Sequence, residues 1–295
     1  MSITESVIRR HQILQSAALN SLKSLKLNIP PSLTPISTSY DRVVFCDPEM
    51  KVIAKVYDQG NILKHEFNML TQAEEAGVPV PHVFGFTEGK PAVLVTQMVQ
   101  GSKLSSANPN SAREAGMYLR RFHELKAKPP FAEGQETWQD YVLSRADRAI
   151  DWMMANNIPD FRGVDLRYLR QLFLKQKPNF TGRPVKRLHG DFQPNHVLID
   201  PTADKVMAFI DFADAQPGDP LWDVAVVSLW DKQIADLVLG GYNSEVLANA
   251  AKGLLPYYRL LRHLVEIPWR FKRGRRESDK SNLAAIQGIL KEELP

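Results

Sequence analysis

Side chains able to bind a metal and take up a proton crowd into His189-Gly190-Asp191-Phe192-Gln193-Pro194-Asn195-His196, and a further acid follows in Ile210-Asp211-Phe212-Ala213-Asp214. Between these motifs lie the apolar runs Val197-Leu198-Ile199 and Val206-Met207-Ala208-Phe209-Ile210, separated by the turn-rich Asp200-Pro201-Thr202-Ala203-Asp204. The pattern predicts a β-hairpin with a longer loop. An antiparallel hairpin brings its open ends together, so Asp191 and Asp211 are expected to face one small volume with His189, Asn195 and His196. Such a volume suits a divalent cation and a proton acceptor.

The elements that must position these groups differ between the two halves of the chain. Residues 36–45 and 51–57 are rich in β-branched and aromatic side chains and predict two strands about a turn at Asp47-Pro48-Glu49. Alternation puts Lys55 on the face opposite Val52, Ala54 and Val56. A helix is expected over 62–76, with Leu63, Phe67 and Leu70 on one face and Gly77 as its stop. Residues 78–81 should be extended and 92–99 a buried strand, two more strands for the same β-rich lobe. Before all of these, Val7, Leu14, Ala18 and Leu25 mark an amphipathic helix over 4–27, ended by Pro30-Pro31. Past Gly101 helical patterns take over, at 111–127, 137–156, 165–175 and in several pieces from 220 onward. In Gly218-Asp219-Pro220, Asp219 reads as a helix cap with Pro220 as the first helical residue. Asp219 and Asp223 are then structural, tying that helix to the loop at Asp191.

In the same order along the chain, Lys55, the glutamate of Lys64-His65-Glu66-Phe67, His189-Gly190-Asp191 and Ile210-Asp211-Phe212 resemble the motifs of protein kinases. They are more similar still to those of the aminoglycoside phosphotransferase and choline kinase group of small-molecule kinases. The resemblance implies an α+β, bilobal protein-kinase-like fold. Its parts would be an N-terminal helical extension over 1–35, a small antiparallel-sheet lobe over 36–98 that binds nucleotide, and a mainly helical lobe over 99–295 with the catalytic hairpin inserted and the acceptor site. The implied activity is transfer of the γ-phosphoryl of ATP or GTP to a hydroxyl of a small molecule such as an antibiotic, a sugar or an amino alcohol.

Within that resemblance each residue acquires a role. Asp191 would orient the acceptor hydroxyl and take its proton, an effect typically worth about 10² to 10⁴ in rate. Glu66 would hold Lys55 on the α- and β-phosphates, and Asp211 would bind Mg2+. Backbone groups of Gln97, Met98 and Val99 would meet the purine edge, which leaves ATP and GTP equally open. His196 stands where the family usually has a metal-binding Asn, while Asn195 falls one residue early. Either one would be the second metal contact, and an imidazole there would favour Mn2+. His189 would support the loop. The chain departs from the kinase pattern at 35–41, where the phosphate-covering loop has no glycine. No Ala-Pro-Glu anchor follows Asp211, which favours a small acceptor over a protein.

Two other readings stay open on the residues alone. One is a nucleotide-binding pseudokinase without transfer activity, suggested by the glycine-free loop and His196. The other is a metal-dependent oxygenase or hydrolase that uses His189, Asp191 and His196 as an iron triad. Composition narrows the setting. With 44% hydrophobic and 24% charged residues the chain reads as globular rather than disordered. It carries no apolar run of the roughly 18–20 residues that span a bilayer, and Glu5, Arg9 and Arg10 sit where a secretory signal would be apolar. A cytoplasmic protein is expected, with no membrane partner. Its one cysteine, Cys46, excludes an internal disulfide and reads as a core residue on a strand. The basic run 270–276 reads as a solvated helix end rather than a nucleic-acid surface. Polycationic acceptors favour acidic clefts, and the helical half offers Asp214, Asp231, Asp236 and Glu245 without a clear acidic block. The acceptor therefore stays open.

Overall fold

The computed structural model describes residues 3–28, 32–39, 41–47, 49, 51–58, 60–129, 131, 134–156, 163–274 and 279–294. Pro30-Pro31, Pro48 and Arg275-Arg276, which entered the sequence reading, lie outside the described residues, as does the side chain of Val7. The chain divides into two compact units: 1–111 with 194–215, and 112–193 with 216–295.

The first unit is built on an antiparallel sheet in the order β1 (Thr34–Thr38), β2 (Arg42–Asp47), β3 (Val52–Tyr57), β5 (Ala92–Gln97), β4 (Val83–Thr87). Helix α1 (Ile3–Ser24) lays Leu14, Ala18 and Leu22 against Phe45, Ala54, Val56, Val93 and Val95, which closes one face of the sheet. Cys46 is buried on β2. Helix α2 (Gly60–Glu75) ends where Gly77 adopts φ 72° and the amides of Gly77 and Val78 bond back to Glu74 and Ala73.

Two details of the sheet differ from the sequence expectation. The single strand expected over 36–45 is broken into β1 and β2. Ser39 N–H bonds Arg42 C=O and Ser39 Oγ bonds Asp41 across a tight turn, polar local bonds that compete with an uninterrupted strand. The extended segment 78–81 joins no sheet, because Pro79 and Pro81 have no N–H for a ladder; the strand begins after it, at Val83. The hairpin formed by β8 (Val197–Asp200) and β9 (Lys205–Phe209) is present, with β6 (Ser102–Lys103) paired to its outer edge. It belongs to the first unit, where Phe209 N–H also bonds the Pro79 carbonyl.

The second unit is helical: α3 (Pro109–His123) from Ala112 onward, α4 (Trp138–Ala155), α5 (Leu166–Phe180), α6 (Leu221–Ser228), α7 (Lys232–Tyr242), α8 (Glu245–Lys272) and α9 (Asp279–Glu292). Thr137, Asp165, Asp231 and Ser244 cap four of these starts with side-chain oxygens. Short strands β7 (Lys186–Leu188) and β10 (Gln216–Gly218) pair beside an aromatic core of Trp138, Tyr141, Trp222 and Tyr258. Among the described residues no helix is long and apolar enough to cross a membrane.

Backbones touch where α3 meets α7. A Cβ on Gly116 would lie 1.9 Å from the Val238 carbonyl oxygen, and one on Gly241 would lie 1.8 Å from that of Arg113, whereas one on the adjacent Gly240 would meet nothing within 4 Å. Gly241→Ala should therefore destabilise the chain by about 1–3 kcal/mol, because neither backbone can yield. Gly240→Ala should be neutral or stabilise by up to about 1 kcal/mol through helix propensity alone. Urea unfolding of the two variants checks this, and equal effects would contradict the packing described.

Candidate active site

Strand β3 alternates buried and less buried positions, which turns Lys55 away from Val52, Ala54 and Val56. On the face it occupies, α2 brings in Glu66, 1% exposed. Lys55 Nζ donates to Glu66 Oε1 at 2.6 Å and to Asp211 Oδ1 at 3.1 Å. A strand, a helix and the end of the hairpin thus converge on one ammonium. Burial alone would lower the Lys55 pKa, but the carboxylates of Glu66 and Asp211 outweigh it and raise the pKa above the ordinary lysine value. Burial raises Glu66 against the pull of Lys55. Asp211 resists the same effect of burial, since Lys55 and then His196 and Arg42 draw its pKa down. It is an anion at neutral pH.

Asp211 follows β9 with φ 65°, a left-handed conformation uncommon outside glycine. The hairpin register explains its neighbour. Val197 pairs with Phe209, and one step outward Ile210 N–H bonds the His196 carbonyl at 2.9 Å, so His196 and Asp211 come side by side. His196 Nε2 lies 3.5 Å from Asp211 Oδ2, the oxygen turned away from Lys55. Asn195, one residue earlier on the single helical turn Pro194–His196, is exposed. This donor set fits magnesium, which binds through one or two carboxylates and keeps water and substrate phosphate for its other positions. Asp211 supplies the carboxylate, and the nearby imidazole would reach such an ion most readily through water.

Among the described residues no group of three His, Cys, Asp or Glu side chains is placed to hold a metal. At the expected hinge, the amides of Gln97 and Met98 are already bonded to the carbonyls of His82 at 2.8 Å and Lys51 at 2.6 Å. Their carbonyls and the amide of Val99 are what this segment can offer a purine. Asp214 is exposed on the short turn Phe212–Asp214.

In the second unit the loop at Asp191 hangs on α6. Asp223, fully buried, accepts the amides of His189 at 2.8 Å and Gly190 at 2.9 Å. Trp222 Nε1 donates to the Gly190 carbonyl at 3.1 Å, and Gly190 takes φ 83°, a turn that glycine makes without strain. The ring of His189 is buried edge-on to Phe192, in keeping with a supporting role. Asp219 caps α6 through Leu221 N–H at 3.0 Å and accepts Tyr258 Oη–H at 2.8 Å and the Nε and NH2 groups of Arg183. Asp191 is held by Gln193 Nε2 at 2.9 Å and faces Arg262, whose NH2 lies 3.5 Å from Oδ1.

Sequence reasoning missed three of these groups. His123 on α3 places Nε2 2.9 Å from Asp223 and Nδ1 3.1 Å from the Tyr242 hydroxyl. Arg183 and Arg262 were the others. A buried-face histidine at the end of an amphipathic helix was a weak signal for the first, and no local pattern marks the two arginines.

The profile of the phosphotransferase enzyme family matches residues 32–261. Among curated proteins none matches the sequence. Solved structures do match by fold. Aminoglycoside 2'-phosphotransferase-IIIa in its GDP complex superposes with a TM-score of 0.71 at 12% identity, over 91% of this chain and 95% of that one. A thermostable mutant of aminoglycoside phosphotransferase APH(4)-Ia in ternary complex with ADP and hygromycin B gives 0.71 at 17%, over 94% and 98%. The gentamicin complex of APH(2")-IIa gives 0.69 at 16%, over 93% and 96%. These likenesses establish the protein-kinase-like α+β fold.

Lys55 and Glu66 should behave as a unit. Lys55→Met strands a buried carboxylate and is expected to cost about 3–5 kcal/mol, whereas Lys55→Met combined with Glu66→Leu removes both charges and should recover most of that loss. Urea unfolding of the single and double variants tests the coupling; additive losses would contradict it.

Proposed function

This chain belongs to the phosphotransferase enzyme family, and from that premise we propose that it moves the γ-phosphoryl of ATP or GTP to a hydroxyl of a small molecule. The observation that carries the reading is Lys55 held between Glu66 and Asp211. A lysine so held is a fixed cation for the α- and β-phosphates. The similar structures hold GDP and ADP, which supports a nucleoside triphosphate as donor and keeps both purines open. We assign the nucleotide role to 36–98 together with 194–215, the acceptor role to the helical remainder, and treat 1–35 as an extension packed on the sheet.

Each residue then has a defined task. Lys55 orients the phosphates. The carbonyls of Gln97 and Met98 and the amide of Val99 read the purine edge, which is sequence-blind. Asp211 holds Mg2+, with His196 beside it and Asn195 as the alternative contact; bound there, the ion supplies neutralisation of the phosphate charge. Asp191, steadied by Gln193, aligns the acceptor hydroxyl and takes its proton. Asp223 keeps the Asp191 loop in place through two amides.

Asp191→Asn should abolish transfer while leaving nucleotide binding near wild type, as read by product formation and by thermal melts. Saturating nucleotide, at about 100 times Kd, should stabilise the fold by roughly 2.7 kcal/mol. A melt unmoved by both ATP and GTP, with no binding in equilibrium dialysis, would overturn the proposal.

A second test concerns His196. Imidazole suits manganese better than magnesium, so His196→Asn should raise the magnesium-supported rate relative to the manganese-supported one. If that ratio holds still while Asn195→Ala loses most activity, Asn195 is the metal contact instead.

A further inference from the structure

Arg262 is an unexpected neighbour for a residue that must receive a proton. Its NH2 reaches only to 3.5 Å from Asp191 Oδ1, a long contact that leaves most of the five guanidinium donors unspent. Its Nε is buried without a hydrogen bond, although the side chain as a whole is 20% exposed. Its place is fixed from below: the guanidinium lies 5.5 Å from the centroid of the Trp222 ring, and that indole is pinned by the Gly190 carbonyl. Among the described residues the carboxylate nearest the guanidinium is that of Asp191, met through one long contact rather than a bidentate pair. Asp191 is shared with Gln193, while on the same helix Glu266 is bound to Arg270 and Arg259 is taken up by Glu293. From Arg259 to the end of α8 the helix carries Arg259, Arg262, Arg270 and Lys272 against Glu266 alone.

Resting on the phosphotransferase reading above, we infer that the acceptor is an anionic hydroxyl compound whose carboxylate or phosphate is bound by Arg262. A planar fork with spare donors is what bidentate recognition of such groups requires. An ammonium brought to the same place meets a like charge, which disfavours polycationic acceptors. In the transfer step the acceptor hydroxyl oxygen forms a bond to the γ-phosphorus as the bond from that phosphorus to the β,γ-bridging oxygen breaks. The nucleoside diphosphate leaves with the electron pair, and the hydroxyl proton passes to Asp191. Arg262 takes no part in bond making and acts on acceptor binding.

The test uses the full chain with magnesium and ATP or GTP, and two sets of acceptors matched in skeleton but not in charge: glucuronate, glucose and glucosamine, and glycerate, glycerol and serinol. Nucleotide consumption and phosphorylated product should give the highest kcat/KM for the anionic member of a set. Arg262→Gln should raise KM for that anion by about 10- to 100-fold while moving KM for its neutral partner little, with any loss of kcat common to both. Arg262→Lys should recover part of the binding. A preference for the neutral or cationic member, equal rates across a set, or no turnover of either anion would overturn the inference. So would an equal KM change for all charges in Arg262→Gln, which would leave Arg262 as a support for Asp191 only. If Arg262→Gln fails to fold, the wild-type ranking and Arg262→Lys still decide. Nucleotide melts separate the two levels: stabilisation by ATP or GTP with a cationic compound consumed sinks the inference alone, whereas no nucleotide binding sinks the phosphotransferase reading beneath it.

Discussion

A buried ammonium shared by two carboxylates is the constraint on which the first unit turns. Glu66 is 1% exposed and could not stay charged there without Lys55. At that one ammonium β3, α2 and the end of the hairpin meet, each contributing one side chain. The arrangement also means that the Lys55 ammonium is held in place by the protein's own carboxylates. Preorganisation of this kind is where electrostatic catalysis gains most, since no side chain has to be gathered during the reaction.

The second unit solves a different problem, how to hold a loop still. Asp223 does so with backbone bonds, taking the successive amides of His189 and Gly190, and is itself braced by His123 and through it by Tyr242. Beneath it Asp219 joins the start of α6 to Arg183 and Tyr258. Each buried carboxylate has several donors, which is the condition under which buried charge is tolerated. Asp191 can then be placed by its neighbours without having to maintain the loop as well.

The identity to similar structures, 12% to 17%, is enough for a shared fold and says nothing about the acceptor. Acceptor choice belongs to side chains that the fold leaves free to vary. Beside Asp191 the structure places one such side chain, Arg262, with its NH2 3.5 Å from Oδ1.

By itself the sequence determined the parts whose signals are local. Hydrophobic alternation placed Lys55 on the face of β3 away from the core, helical spacing and Gly77 delimited α2, and the paired apolar runs about 200–204 announced the hairpin that brings His196 to Asp211. Asp219 as the cap of α6 was equally legible, because capping is settled within three residues. The break between β1 and β2, the later start of β4 and the occupied amides of Gln97 and Met98 were not legible, since each depends on bonds to residues chosen by tertiary packing. The same holds for His123, Arg183 and Arg262. Their partners lie far along the chain and are met only through the rotation of a helix, which periodicity specifies as a face but not as a contact. Only the folded chain could decide that an arginine of α8 would stand over Trp222 and against Asp191.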